Sequence, residues 1–168
     1  MKFYDEAKIF VRSGDGGNGC VSFRSERFKP RGGPDGGNGG KGGDILILST
    51  SRCQTLQDYH FRTHFKAPKG GNGEGNDRNG RKGKDIRLFV PLGTLIRDAQ
   101  SGQLLADLTV EGQTFIAASG GRGGKGNKHF ATSTHRTPRF AQKGEPGEER
   151  WLLLELKLLA DVGLAYLT

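Results

Sequence analysis

The side chains with the most chemistry in this chain are its cations, and they fall into three groups. Arg24, Arg27, Lys29 and Arg31 lie in one stretch, Lys66, Lys69, Arg78, Arg81 and Lys82 in a second, and Lys125, Lys128, Arg136, Arg139 and Lys143 in a third. The windows 24–43, 60–84 and 122–143 carry net charges of +3, +5 and +6; the whole chain carries +8, so the remainder is −6. Basic segments on a mildly acidic body point to an anionic macromolecule as partner. Aromatic residues sit among the cations: Phe23 and Phe28 in the first group, His129, Phe130 and Phe140 in the third. Arg and Lys neutralise phosphates, and flat side chains stack on unpaired bases. Phe23, Phe28 and Phe65 are read as loop anchors, the cations as phosphate contacts.

Other chemistry is thin. His60 and His64 stand four apart and would share a face of a helix, but Asp58 is the one further ligand nearby, too few for a metal site. No serine or cysteine stands in a nucleophile setting, and carboxylate pairs such as Glu148–Glu149 sit in a turn and read as solvated surface. No catalytic residue and no metal site is expected. Cys20 and Cys53 are the two cysteines, and neither belongs to a C-x-x-C pair, so a reduced compartment is the simpler home.

Glycine is the element that must position the cations. Residues 31–44 read RGGPDGGNGGKGGD and hold eight of the 29 glycines. From Gly36 on, glycine pairs recur every third residue, the period of an extended left-handed helix with three residues per turn. Gly33, Gly36, Gly39 and Gly42, with Gly120 and Gly123, are the packing positions of a polyglycine-like bundle. In such a helix whole edges are bare backbone, and a neighbouring chain can approach closely enough to bond. Weaker runs occur at 13–19, 69–75 and 119–126. Residues 36–41 (GGNGGK) resemble a phosphate-binding loop, but Gly42 stands where Ser or Thr is required. Collagen would need one long strict repeat rich in proline; there are six prolines.

The remaining sequence reads as short strands: 8–12, 20–23, 45–48, 86–90, 94–97, 104–108, 114–117 and 150–160, the last favoured as a strand over a helix by Trp151 and the turn before it. Residues 68–84 read as a loop and 143–149 as a turn. The fold class is mainly β, a sandwich or barrel bearing glycine-rich excursions. Hydrophobic residues make up 33% of the chain, so its core is modest and packed glycine backbone must hold part of the structure. The first ten residues lack the apolar run of a secretory signal, and no run is long enough to span a membrane.

Several long stretches, among them VRSGDGGNGCVSFRSERFKPRGGPDGGNGGKGGD, VPLGTLIRD, ASGGRGGKGNKHFATS and LELKLLADVGL, resemble the Obg (CgtA) family of ribosome-associated GTPases. The resemblance covers essentially the whole chain. It implies the N-terminal Obg fold, with residues 1–159 as glycine-rich left-handed polyproline-II-type helices packed on a small β-barrel. Residues 160–168 are then the remnant of a connection to a GTPase domain. It further implies a cytoplasmic protein that docks its basic loops on ribosomal RNA of the large subunit, in assembly or translation control. In the family LADVGL leads into a P-loop; here no G-K-S or G-K-T occurs anywhere. GTP and magnesium are therefore expected on the GTPase domain and no cofactor on this chain. A monomer is expected. A protein-interaction module, binding the GTPase domain or a regulatory protein, is the alternative reading.

Overall fold

The computed structural model describes residues 3–25 and 32–157 of the chain. Among them are eight strands: β1 (Phe3–Arg12), β2 (Ile45–Ser49), β3 (His64–Lys66), β4 (Ile86–Val90), β5 (Thr94–Asp98), β6 (Leu104–Leu108), β7 (Thr114–Ala118) and β8 (Glu149–Lys157). A single helical turn, α1 (Asp58–Phe61), precedes β3. The strands form two sheets, ordered β3-β1-β8-β5-β6 and β4-β2-β7.

Alternation along the strands builds one core between the sheets. Ala7, Ile9 and Val11 of β1 point inward beside Leu152, Leu154 and Leu156 of β8. Ile45, Ile47, Leu88, Val90 and Ala117 face them from the second sheet. Period-two burial of this kind fixes register, because a slip of one residue would turn every inward side chain outward. Tyr59 of α1 closes one side, its hydroxyl donating to the Phe89 carbonyl at 2.6 Å. The molecule is mainly β, as its sequence implies. Among the described residues the sheets stay open: β3 pairs only with β1 and β6 only with β5, so these strands make a sandwich and not a closed barrel.

Three connections leave this sandwich at the same end: β1 to β2, β3 to β4 and β7 to β8. Each runs out as one extended glycine-rich helix and returns as another. In chain order these are helices I (residues 14–20), II (36–43), III (68–74), IV (78–83), V (120–127) and VI (142–147). Their backbone hydrogen bonds recur every third residue and run between helices. Gly14, Gly17 and Cys20 of I donate to Gly43, Gly40 and Gly37 of II at 2.9, 2.9 and 3.0 Å. Gly121, Gly124 and Asn127 of V donate to Gly14, Gly17 and Cys20 of I, each at 2.9 Å. Gly126 has φ −69° and ψ 165°, the polyproline II conformation. Helix I bonds to II, III, V and VI, and helix II to I, III, IV and V, so these two form the centre.

The glycines are required by that closeness. A Cβ on Gly36, Gly39 or Gly42 would overlap the carbonyls of Cys20, Gly17 and Gly14, and one on Gly120 or Gly123 those of Gly42 and Gly39. Gly33 is an exception and a correction: a Cβ there meets nothing within 4 Å among the described residues. The crowded position in that loop is Gly32, against the Arg24 backbone.

Three sequence expectations change. Residues 68–84 are not a loop but helices III and IV, joined by a turn in which Asn76 and Asp77 take φ of 61° and 58°. Residues 143–149 continue helix VI into β8. Residues 20–23 form no strand beyond a single bridge from Phe23 to Pro34, because the end of helix I runs beyond both sheets. The expected connection at 160–168 lies outside the described residues.

Candidate nucleic-acid interface

Because all three hairpins of glycine helix start from one end of the sandwich, their loops meet at the far end of the bundle. Asn127, fully buried, ties two of them together. Its side-chain NH2 donates to the Ser22 carbonyl at 3.0 Å and the Pro138 carbonyl at 3.1 Å, and its Oδ1 accepts from Gly36 N at 2.9 Å. Asp77 brings in the third. Arg24 approaches its carboxylate at 2.9 Å and Lys128 at 3.0 Å, and its own N–H donates to the Asp35 carbonyl at 2.8 Å. The Lys128 hydrogen bond, then the charges of Lys128 and Arg24, hold the Asp77 carboxyl below the usual carboxylate range. Arg139 lies over the Phe23 ring at 5.6 Å, and Phe130 packs on Phe140 at 4.8 Å. Phe140 itself is half exposed. A groove of about 390 Å³, floored by Gly36, Gly37 and Asn38 and walled by Asp77, Asn79, Lys128 and His129, opens at this end.

The predicted cations divide into three places. Arg24, Arg78, Lys128, Arg136 and Arg139 stand at the loop end, all exposed. Arg81, Lys82, Lys125 and Lys143 line the sides of the bundle. Lys66 lies in β3 and Lys69 at the start of helix III, both beside the sandwich and far from the loops; they share a charge window with Arg78 but not an end of the molecule. Arg27, Lys29 and Arg31 lie outside the described residues. Sequence reading passed over Asp77 and Asn127, the two residues that join the loops. The signal for the first was an Asn-Asp pair after Gly75, a combination that tolerates left-handed backbone.

The other candidates separate. The helical turn of α1 ends before His64, so His60 and His64 share no face: His60 meets Asp5 at 3.0 Å, while His64 packs edge-on against Trp151 at 5.5 Å. No three potential metal ligands cluster among the described residues. Cys20 and Cys53 are free thiols. The GGNGGK stretch cannot cradle a nucleotide phosphate, because its N–H groups are already engaged. Gly37 donates to Glu74, Gly39 to Gly124, Gly40 to Gly71 and Gly42 to Gly121, all at 2.8–2.9 Å. No helix among the described residues is long and apolar enough to cross a membrane.

The GTP1/OBG family model matches residues 4–158. The protein named GTPase Obg of Desulfotalea psychrophila is 57% identical over 164 residues, 98% of this chain and 44% of its own length. Its namesakes in Desulfatibacillum aliphaticivorans and Syntrophus aciditrophicus are 60% and 59% identical over 164 residues. The chain thus spans less than half the length of these curated relatives, 44–49%.

Proposed function

The chain belongs to the GTP1/OBG family, and from that premise we propose that it is the non-catalytic ribosome-docking domain of an Obg-type GTPase. Its loop end, with Arg24, Arg78, Lys128, Arg136 and Arg139, enters a cleft of ribosomal RNA on the large subunit. GTP and magnesium are handled by the remainder of the full-length protein. The observation that carries the reading is the convergence of three cationic loops on one end of a backbone-bonded bundle. A loop held rigid before binding loses less entropy on binding than a flexible one.

The reading is tested by co-sedimentation of the full-length protein with purified large subunits over a salt series. Affinity should fall steeply with salt, by about 10³-fold or more between 50 and 200 mM for six or more phosphate contacts. Arg136→Glu with Arg139→Glu should weaken binding at every salt concentration. Unchanged binding by that variant would overturn the reading.

One observation favours a second reading, a protein-interaction module. The outer face of the three-stranded sheet leaves Phe89 and Ile116 49% and 54% exposed on either side of β2, an apolar surface of the kind proteins bury against one another. Contact there, with the GTPase domain or a regulatory protein, would be insensitive to salt.

A further inference from the structure

Helix V and the residue after it, 120–128, read GGRGGKGNK. A helix with three residues per turn presents three edges, and two are consumed inside the bundle. Gly120, Gly123 and Gly126 lie against the carbonyls of Gly42, Gly39 and Gly36 of helix II. Gly121 and Gly124 lie against those of Glu145 and Gln142 of helix VI. The third edge is Arg122, Lys125 and Lys128, all exposed. Helix IV repeats the pattern with Arg78, Arg81 and Lys84, also exposed.

The central helix I treats its third edge differently. There Asp15 and Asn18 turn to the neighbouring helix, accepting from Gly147 N at 2.8 Å and Gly144 N at 2.9 Å. On helix I position three thus carries acceptors that reach a neighbouring helix, whereas on the exposed edges of helices IV and V it carries cations. Lys128 continues its row from a 3-10 turn, Asn127–Phe130, where it also pairs with Asp77. At a rise of about 3.1 Å per residue, Arg122 and Lys125, like Arg78 and Arg81, stand about 9 Å apart. That spacing is about one Debye length at physiological salt, so like charges in a row repel each other little. Arg81, Lys84, Arg122 and Lys125 take part in no ion pair among the described residues. Beside the row on helix V runs a groove of about 480 Å³ shared with helix VI, to which Arg122, Lys125, Gln142, Lys143 and one acid, Glu145, contribute.

We infer that the sides of the bundle are phosphate tracks: the rows Arg122–Lys125–Lys128 and Arg78–Arg81–Lys84 bind a phosphodiester backbone lengthwise, so RNA is gripped along the bundle as well as at its tip. This rests on the ribosome-docking reading and adds Arg81, Lys84, Arg122 and Lys125 to its loop-end cations. A single bound phosphate would need converging donors; cations in a straight line fit a chain of phosphates.

The test compares the full-length protein with its Arg122→Gln/Lys125→Gln variant in binding to purified large subunits between 50 and 200 mM salt. Each phosphate contact contributes about 0.7–0.9 to the slope of log affinity against log salt. Losing two should flatten the slope by about 1.4–1.8, and the affinity ratio between the two salts should shrink by about tenfold. The charge-preserving Arg122→Lys/Lys125→Arg variant should keep the wild-type slope. Both side chains are exposed, so thermal unfolding should not change and a folding defect is separable. An unaltered slope in the glutamine variant, with wild type bound, overturns the tracks and leaves tip docking standing. Failure of wild type to bind at any salt overturns both.

Discussion

Gly39→Ala places one methyl group where the bundle has no room for it. The added Cβ would lie within 3.0 Å of the Gly17 carbonyl and the Asn18 nitrogen, all backbone of the central helix I, so no side chain can swing away. Relief requires helices I and II to separate. That loosens three hydrogen bonds, from Gly14, Gly17 and Cys20 to Gly43, Gly40 and Gly37, each contributing about 0.5–1.5 kcal/mol. Residual overlap adds about 1–3 kcal/mol. Against this, removing a glycine restricts the unfolded chain and returns about 0.4–1 kcal/mol. The net cost is about 4 kcal/mol, a large share of the roughly 5–15 kcal/mol that holds a domain folded. For a chain of this length that amounts to about 10 °C or more in Tm, measured by scanning calorimetry. Gly33→Ala is the matched control, since its Cβ meets nothing among the described residues. It should stay within about 1 kcal/mol of wild type, on the stabilising side. A Gly39→Ala protein within about 1 kcal/mol of that control would refute the account of the bundle as backbone packed on backbone.

Asn127→Ala strips partners from Ser22 O, Pro138 O and Gly36 N at once. A cost of about 3 kcal/mol is expected, with limited proteolysis appearing within residues 128–141 before global unfolding; a protease-resistant variant would contradict the role given to that side chain. In acid, Asp44 and Asp77 set the behaviour. Burial alone would raise Asp44, but the Lys41 hydrogen bond, the Gly120 N–H and the charges of Lys41 and Lys82 outweigh it and hold the carboxyl below the usual carboxylate range. Asp77 is held below that range as well. A carboxylate with a depressed folded value contributes stability that is complete above its unfolded value and lost as pH falls through the folded one. The unfolding midpoint should therefore hold down to about pH 4 and drop below it. Asp44→Asn should shrink the drop, and a midpoint level to about pH 2 would speak against both pairs.

Much of this architecture is legible in the residues. Helices I, II, III and V announce themselves by paired glycines, because each has two or more edges inside the bundle. Helices IV and VI are harder to see: each has only two neighbours, so Gly80 with Gly83 and Gly144 with Gly147 are all the glycine they carry, among charged residues that resemble a loop. The strands β2, β4, β5, β6 and β7 follow from alternation and turn residues. The three-residue β3 does not, since its pairing with β1 joins residues more than fifty apart. Closure of a barrel is likewise a property of distant pairings. For the interface, charge segregation located the loop cations, but windows drawn by charge alone swept Lys66 and Lys69 in with Arg78. It is the turn at Asn76 and Asp77, not the charge count, that decides which end of the hairpin a residue occupies.

The three-residue period also limits how the bundle can change length in evolution. Inserting one residue into helix V would rotate everything beyond it by a third of a turn, moving a cation onto an edge that needs glycine and a glycine out into water. Two residues would do the same in the opposite sense. Only three, or a multiple, restore the edges, and the antiparallel partner in the same hairpin must gain three as well to keep the ladder paired. The reach of the bundle is therefore quantised in steps of about 9 Å. The loops at the tip are not bound to that step, while the shaft admits only whole triplets.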